Sequence, residues 1–232
     1  MEERILIIIP AFNEEESILN TYNTILEYNK THERTLDTIV INDGSTDATE
    51  QILVQHHIPH IQLIQNLGIG GAVQTGYKYA YENQYDIAIQ FDGDGQHDIS
   101  FVDALVKPIL NEHANMTIGS RFVQGSTSEF KSTKARQFGI RLISSFIQFF
   151  THVKLYDVTS GFRAIDRSLI QAFSRDYPTE YPEPISTTTV LKHGKCVKEV
   201  PVKMNERQGG VSSIHSWKNV YYMINVLMSI IN

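Results

Sequence analysis

One cysteine, Cys196, stands in 232 residues, so no disulfide can form within the chain and stability must come from a packed core. A lone thiol suits a reducing compartment, where it usually serves as a small buried hydrophobe. No apolar run reaches the length of about 18 residues that reads as a membrane span. The opening MEERILIIIP lacks the basic region and long apolar stretch of a secretory signal, and the expected location is the cytoplasm. Positive charge is in deficit, with 20 Lys and Arg against 26 Asp and Glu. That balance argues against the basic stripe of a general nucleic-acid binder, so no nucleic acid is expected as partner. With 41% hydrophobic residues the chain is not of the disordered class, and its length allows one large domain.

What is present is an alternation. The runs RILIII (4–9), DTIVIN (37–42), HIQLI (60–64) and DIAIQF (86–91) read as strands. Stretches of helical period separate them: Ile18, Tyr22, Ile25 and Leu26 share one face, and Ser45 to Asp47 can cap a helix from Ala48. Strands bounded by helices predict an α/β fold with a mostly parallel central sheet flanked by helices, Rossmann-like in organisation. A fifth strand is expected in MTIGSRF (116–122), then a polar stretch, a broad-faced helix over 136–152, a helix near 185–193 and a strand in CVKEVPVKM.

In such sheets ligands bind beyond the carboxyl ends of the strands. The first strand ends in PAFNEEE, the second in NDGSTD, the third precedes NLGIGG and the fourth ends in DGDGQHD, so four polar loops are expected on one rim. The last of these resembles a calcium loop only in part. Asp92, Asp94 and Gln96 fit positions 1, 3 and 5, but His97 stands where Gly is required, Asp103 where Glu is, and a strand precedes it. Two carboxylates leaving one strand repel unless they share a cation. Mg²⁺ or Mn²⁺, which combines a few protein oxygens with substrate phosphates, fits that need and points to a metal-bound diphosphate. NLGIGGAVQTG fails the dinucleotide fingerprint because Val73 occupies its last glycine position.

The stretches PAFNEEESI, INDGSTDAT, NLGIGGAVQTGY, FDGDGQHD, GSRF, TSGFRAID and ERQGGVSSI, in this order, resemble those of the family 2 glycosyltransferases with the GT-A fold. The nearest likeness is to the dolichol- and polyprenyl-phosphate sugar transferases, over about residues 4 to 214. The resemblance implies that Pro10, Ala11, Asn13 and Glu14 line the base and ribose, that Asp43 receives a base N–H or ribose hydroxyl, and that Asp92 lies near the ribose. It further implies that Asp94 and Gln96 hold Mg²⁺ or Mn²⁺ between the phosphates. Arg207 is aimed at the diphosphate, with Gly209 and Gly210 letting its loop close.

Each residue also has a plainer reading. Asn13 can cap the following helix, Glu14 to Glu16 suit a helix N-terminus, and Asp43 can merely start a turn at DGST. Gly71, with Gly68 and Gly70, either approaches the donor or only permits a tight turn. Arg207 can be a solvated loop residue. The resemblance makes Asp157 a candidate base or acceptor-positioning acid, with Glu183 in YPEP as its rival. Arg163 is a candidate for the acceptor phosphate or for a buried pair with Asp166 or another acid.

The activity so implied is an inverting, metal-dependent transfer of a hexose or N-acetylhexosamine from a nucleotide-diphosphate sugar, UDP favoured over GDP, to a polyprenyl or dolichyl phosphate. The alternatives are a sugar-hydroxyl acceptor in cell-surface polysaccharide synthesis and a non-catalytic nucleotide-sugar-binding subunit. The aromatic face of helix 136–152, entered by Lys131, Lys134, Arg136 and Arg141, suits an anionic lipid surface or a core. The apolar stretch from Val220 to Ile231 would extend about 18 Å as a helix, short of a hydrocarbon core of about 30 Å. Two regions are therefore expected: residues 1–214 as the GT-A domain and 215–232 as an apolar C-terminal helix against membrane surface, a small membrane-protein partner or a second copy. The expected location is peripheral to the inner membrane face.

Overall fold

The computed structural model describes residues 3–126 and 134–205, together with Val226 and Met228; side chains 134–136 and 138 are not described. Arg207, Gly209, Gly210 and Lys131 lie outside the described residues, as does all of 215–232 except Val226 and Met228. Seven strands form one sheet in the order β3-β2-β1-β4-β6-β5-β7. β4 (Ile87–Gln90) is the middle strand; β1 (Ile5–Ala11) and β2 (Leu36–Asn42) follow it outward in turn, with β3 (His60–Gln62) at that edge. All of these pair in parallel, as the strand–helix alternation requires. The connecting helices are α1 (Ile18–Thr31), α2 (Thr49–Gln55) and α3 (Gly68–Glu82).

β1 is buried at all seven residues, which explains its unbroken apolar run: helices cover both faces of a parallel sheet, so alternation disappears. Ile5, Ile7 and Ile9 enter one apolar cluster, with Ile25 of α1 and Leu53 of α2; Leu6 and Ile8 enter the other, with Val73 and Tyr77 of α3.

The sixth strand was not expected. β6 (Arg163–Asp166) enters antiparallel between β4 and β5 (Met116–Ser120), and β7 (Val197–Pro201) pairs parallel to β5 at the edge. Because β6 runs against its neighbours, the segment leading into it lies beside the carboxyl end of β4, with Gln90 opposite Arg163. The remaining helices are α4 (Val102–Asn111), α5 (Lys134–Thr151), α6 (Arg167–Arg175) and α7 (Pro182–Lys192). Among the described residues no helix is long and apolar enough to cross a membrane. Val226 is helical, fully buried and part of the apolar cluster that holds Ile143, Ile147 and Leu155.

Arg163 is wholly buried and pins β6 to α7. Its guanidinium donates to the Ser160 carbonyl at 2.7 and 3.1 Å, to the Glu183 carbonyl at 3.2 Å and to the hydroxyls of Ser186 and Thr187. The pair with Asp166 does not form: that carboxylate caps α6 through Leu169 N–H and accepts from Asn115. Arg163→Leu strands several buried acceptors and is expected to lower stability by about 3–5 kcal/mol in urea unfolding; a loss below about 1 kcal/mol would contradict this structural role.

Candidate active site

Four loops converge at the carboxyl ends of the strands, and hydrogen bonds lock the first two together. Asn13 adopts a left-handed φ of 56° and is exposed. Its amide donates to Ser45 Oγ at 3.0 Å, while its side-chain oxygen accepts from Thr46 N–H at 2.8 Å. Glu14 N–H donates to Thr49 Oγ1, and Glu15 Oε2 accepts from Ala48 N–H. Asn13 therefore ties two loops, rather than capping α1 as its plainer reading had it. α2 starts at Thr49, one residue later than expected, with Asp47 accepting from both the amide and hydroxyl of Thr49.

Asp43 is buried, and its Oδ1 accepts from Leu67 N–H at 2.7 Å, joining the β2 loop to the start of α3. Burial pushes its carboxyl up, and the Leu67 and Gly68 amides draw it back. Its amide donates to the Ala11 carbonyl at 2.8 Å, so Pro10 and Ala11 at the end of β1 and Asp43 form one continuous wall. Gly71 lies in the first turn of α3, where a Cβ would stand 2.5 Å from Leu67 Cβ; packing alone demands the glycine. Phe12, whose aromatic character sequence reading overlooked, is 44% exposed on this wall. An apolar ring left in water at the ligand end of a strand was the signal for it.

The DGDGQH loop is built around a histidine. His97 is buried, stacked on Phe162 at 4.8 Å and edge-on to Phe91 at 5.4 Å. Asp92 N–H donates to its Nδ1 at 3.0 Å, so the proton sits on Nε2, 3.5 Å from Asp92 Oδ2. Burial lowers the imidazole pKa to about 4; Asp94 opposes that shift and Arg121 adds to it. Asp94 is buried and its Oδ1 accepts from Gln96 N–H at 3.0 Å, while Gly95 supplies the left-handed φ of 75° that the turn requires. A Cβ at Gly161 would lie 2.8 Å from Asp92 Oδ2, so the loop entering β6 closes directly over that carboxylate.

Gln90 bridges the carboxylates at the end of β4. Its Nε2 lies 3.3 Å from Asp92 Oδ1, and its side chain is near enough to Glu183 to draw that carboxyl down. Glu183 is half-buried in the first turn of α7. Burial raises its carboxyl, Arg163 lowers it and Asp92 raises it further. Glu183 and Asp92 are thus brought together. Asp157 is not in that group: it is wholly buried, with its oxygens 2.7 and 2.8 Å from Nε and Nη2 of Arg121. A carboxylate in a two-pronged guanidinium pair is already committed, and the base role expected of it does not suit this geometry. Arg121, which directly follows β5, was missed; a lone arginine at a strand's carboxyl end was the available signal.

Among the described residues no three His, Cys, Asp or Glu side chains cluster as a metal cage. The donors present, a buried carboxylate on Asp94 with the amide of Gln96, instead fit a hard cation that completes its shell with phosphate and water. Beyond Arg121, a cavity of about 530 Å³ opens between α5 and residues 154–156, lined by Gln137, Arg141, Ser144, Lys154 and Tyr156 among others.

The profile described as Glycosyl transferase family 2 matches residues 6–173. The chain belongs to this family. It is 31% identical over 222 residues to the UDP-N-acetylglucosamine–dolichyl-phosphate N-acetylglucosaminyltransferase of Methanococcus voltae, covering 87% of this chain and 86% of that one. It is 26% identical to the polyprenol monophosphomannose synthase of Mycolicibacterium smegmatis, covering 91% and 81%. Glucosyl-3-phosphoglycerate synthase from Mycobacterium tuberculosis, solved with Mn²⁺, UDP-glucose and phosphoglyceric acid, superposes with a TM-score of 0.71 at 19% identity, over 99% of this chain and 79% of that one. This glycosyltransferase therefore has the GT-A fold.

The neutral His97 sets a stability gradient for the metal-free glycosyltransferase. The unfolded imidazole takes a proton below about pH 6.5 while the folded one refuses it until about pH 4, so acidification favours unfolding. Urea unfolding is expected to lose about 2 kcal/mol between pH 7 and 5, and His97→Gln to remove that part of the slope. An unchanged slope in the variant would refute the assignment.

Proposed function

We propose that this glycosyltransferase moves a hexose or N-acetylhexosamine, with inversion, from a UDP-sugar to a polyprenyl or dolichyl phosphate at the cytoplasmic membrane face. The observation that carries this reading is the placement of Asp43, Asp92, Asp94 and Glu183 on one rim beside a separate, cation-bearing cavity. Both relatives above are lipid-phosphate sugar transferases by name, and one uses a UDP-sugar.

In this reading Pro10, Ala11, Phe12, Asn13, Glu14 and Asp43 receive the base and ribose, with Asp92 near the ribose and Gly71 in the supporting turn. Asp94 and Gln96 would hold Mg²⁺ or Mn²⁺, which would supply positive charge against the departing diphosphate. Arg207, outside the described residues, supplies a second cation there. The acceptor is a phosphate with a second pKa of about 6, so it arrives ionised and needs no strong base. One of its oxygens forms the bond to the anomeric carbon from the face opposite the leaving diphosphate, whose bond to that carbon breaks.

That chemistry gives Asp157 a reason to be an ion-pair partner. It holds Arg121 beside Phe122, 5.5 Å from that ring on the wall of the proposed acceptor cavity, where Arg141 and Lys154 add positive charge and Ser144 Oγ, buried without a hydrogen-bond partner, offers a further polar contact. Exposed Phe149 and Phe150 on α5, with Tyr156, form an aromatic surface suited to the membrane interface that supplies such an acceptor. Glu183 borders the sugar.

Purified protein with Mn²⁺, undecaprenyl phosphate in detergent and a panel of UDP- and GDP-sugars is expected to yield a lipid-linked sugar from a UDP donor. Asp94→Ala is expected to lower kcat/KM at least about a thousandfold, equivalent to roughly 4 kcal/mol of transition-state stabilisation. Chelation is expected to stop turnover and Mn²⁺ to restore it. Full activity in the variant defeats the metal assignment, and transfer only to soluble sugars replaces the lipid acceptor with a hydroxyl.

A further inference from the structure

We infer that Glu199 is a positioning residue that sets Arg121 for the acceptor through Asp157; its link to the acceptor rests on the lipid-phosphate reading above. Glu199 lies on the edge strand β7, opposite Ile118 of β5. Its side chain reaches away from the strand pairing to the bend at 156–157. Oε2 accepts from Tyr156 N–H at 2.7 Å and Oε1 from Asp157 N–H at 2.7 Å. One carboxylate thus clamps two successive amides, one of them belonging to the residue that holds Arg121.

The relay continues on the other side of that residue. Asp157 Oδ2 accepts from both the amide and Nε of Arg121, at 3.0 and 2.7 Å, and Oδ1 accepts from Nη2 at 2.8 Å. Backbone and side chain of Arg121 are therefore held by the same carboxylate, whose own backbone is held by Glu199. The three groups come from β7, the 156–157 bend and the end of β5, which no local sequence contact joins.

Placing a second acid beside Asp157 is unfavourable unless it gains something. Burial and the neighbouring Asp157 charge raise the Glu199 carboxyl, while the two amides and Ser120 draw it down. Packing alone does not call for an acid here: an apolar side chain would fill the space and leave two amides unpaired. The clamp fixes the bend from which Tyr156 and Asp157 diverge, Tyr156 to the cavity wall and Asp157 to Arg121.

The test is Glu199→Gln, which keeps size and one amide acceptor but loses the double clamp. Acceptor KM for undecaprenyl phosphate is expected to rise about tenfold, with donor KM within about twofold. Asp157→Asn should act in the same direction, and the two changes combined should fall well short of multiplying. Independently of any acceptor, ¹⁵N-arginine spectra should show a protected Arg121 Nε–H resonance that Asp157→Asn abolishes and Glu199→Gln shifts towards free arginine. A resonance unmoved in Glu199→Gln overturns the positioning role, as does an equal rise in both KM values. Should the wild-type protein transfer to no lipid phosphate, the acceptor reading fails, and the Nε–H resonance alone decides whether Glu199 positions Arg121.

Discussion

The antiparallel entry of β6 between β4 and β5 is the constraint on which the site depends. A strand running with its neighbours would deliver its leading segment to the opposite end of the sheet. Running against them, β6 starts where β4 stops, and its ladder sets Arg163 opposite Gln90. That register brings Gly161 against Asp92 and stacks Phe162 on His97, and Arg163 then reaches α7 and so fixes Glu183. Carboxylates separated by some ninety residues in sequence become neighbours because one short strand is reversed.

The rim proposed for the donor is cross-braced. Asn13 and Glu15 exchange hydrogen bonds with the β2 loop, Asp43 reaches the start of α3, and a neutral histidine props the Asp92 backbone. Almost every one of these contacts joins a side chain to a backbone amide of another loop. Such bonds position without adding bulk, leaving the strand ends open. On the other side, Arg121 is held by Asp157, whose backbone is held in turn by Glu199, so the two sides proposed for donor and acceptor are held by separate networks.

Much of this was legible beforehand. Apolar runs ending in acids marked strands β1, β2 and β4 and located the rim, because buried parallel strands leave few other reasons for Asp at their ends. β6 was not legible: RAID is four residues, buried at three of them, and has no periodicity to read. Arg121 and Asp157 lie 36 residues apart, and neither names the other in sequence. Glu199 lies within the expected strand CVKEVPVKM, and nothing there shows that its carboxylate serves a bend on a different element.

The sequence by itself determined the layered α/β architecture, the polar rim at the strand ends and the oxygen-rich character of Asp94 and Gln96 there. These follow from local properties: apolar run length, turn residues and the preference of hard cations for oxygen. Only the tertiary structure decided which acids are committed and which border the site. Asp157 and Glu183 are both single carboxylates following a loop, and nothing local separates them. A guanidinium just past β5 commits the first, whereas the reversed β6 brings the second to Asp92, because charge pairing is settled by distance in space and not along the chain.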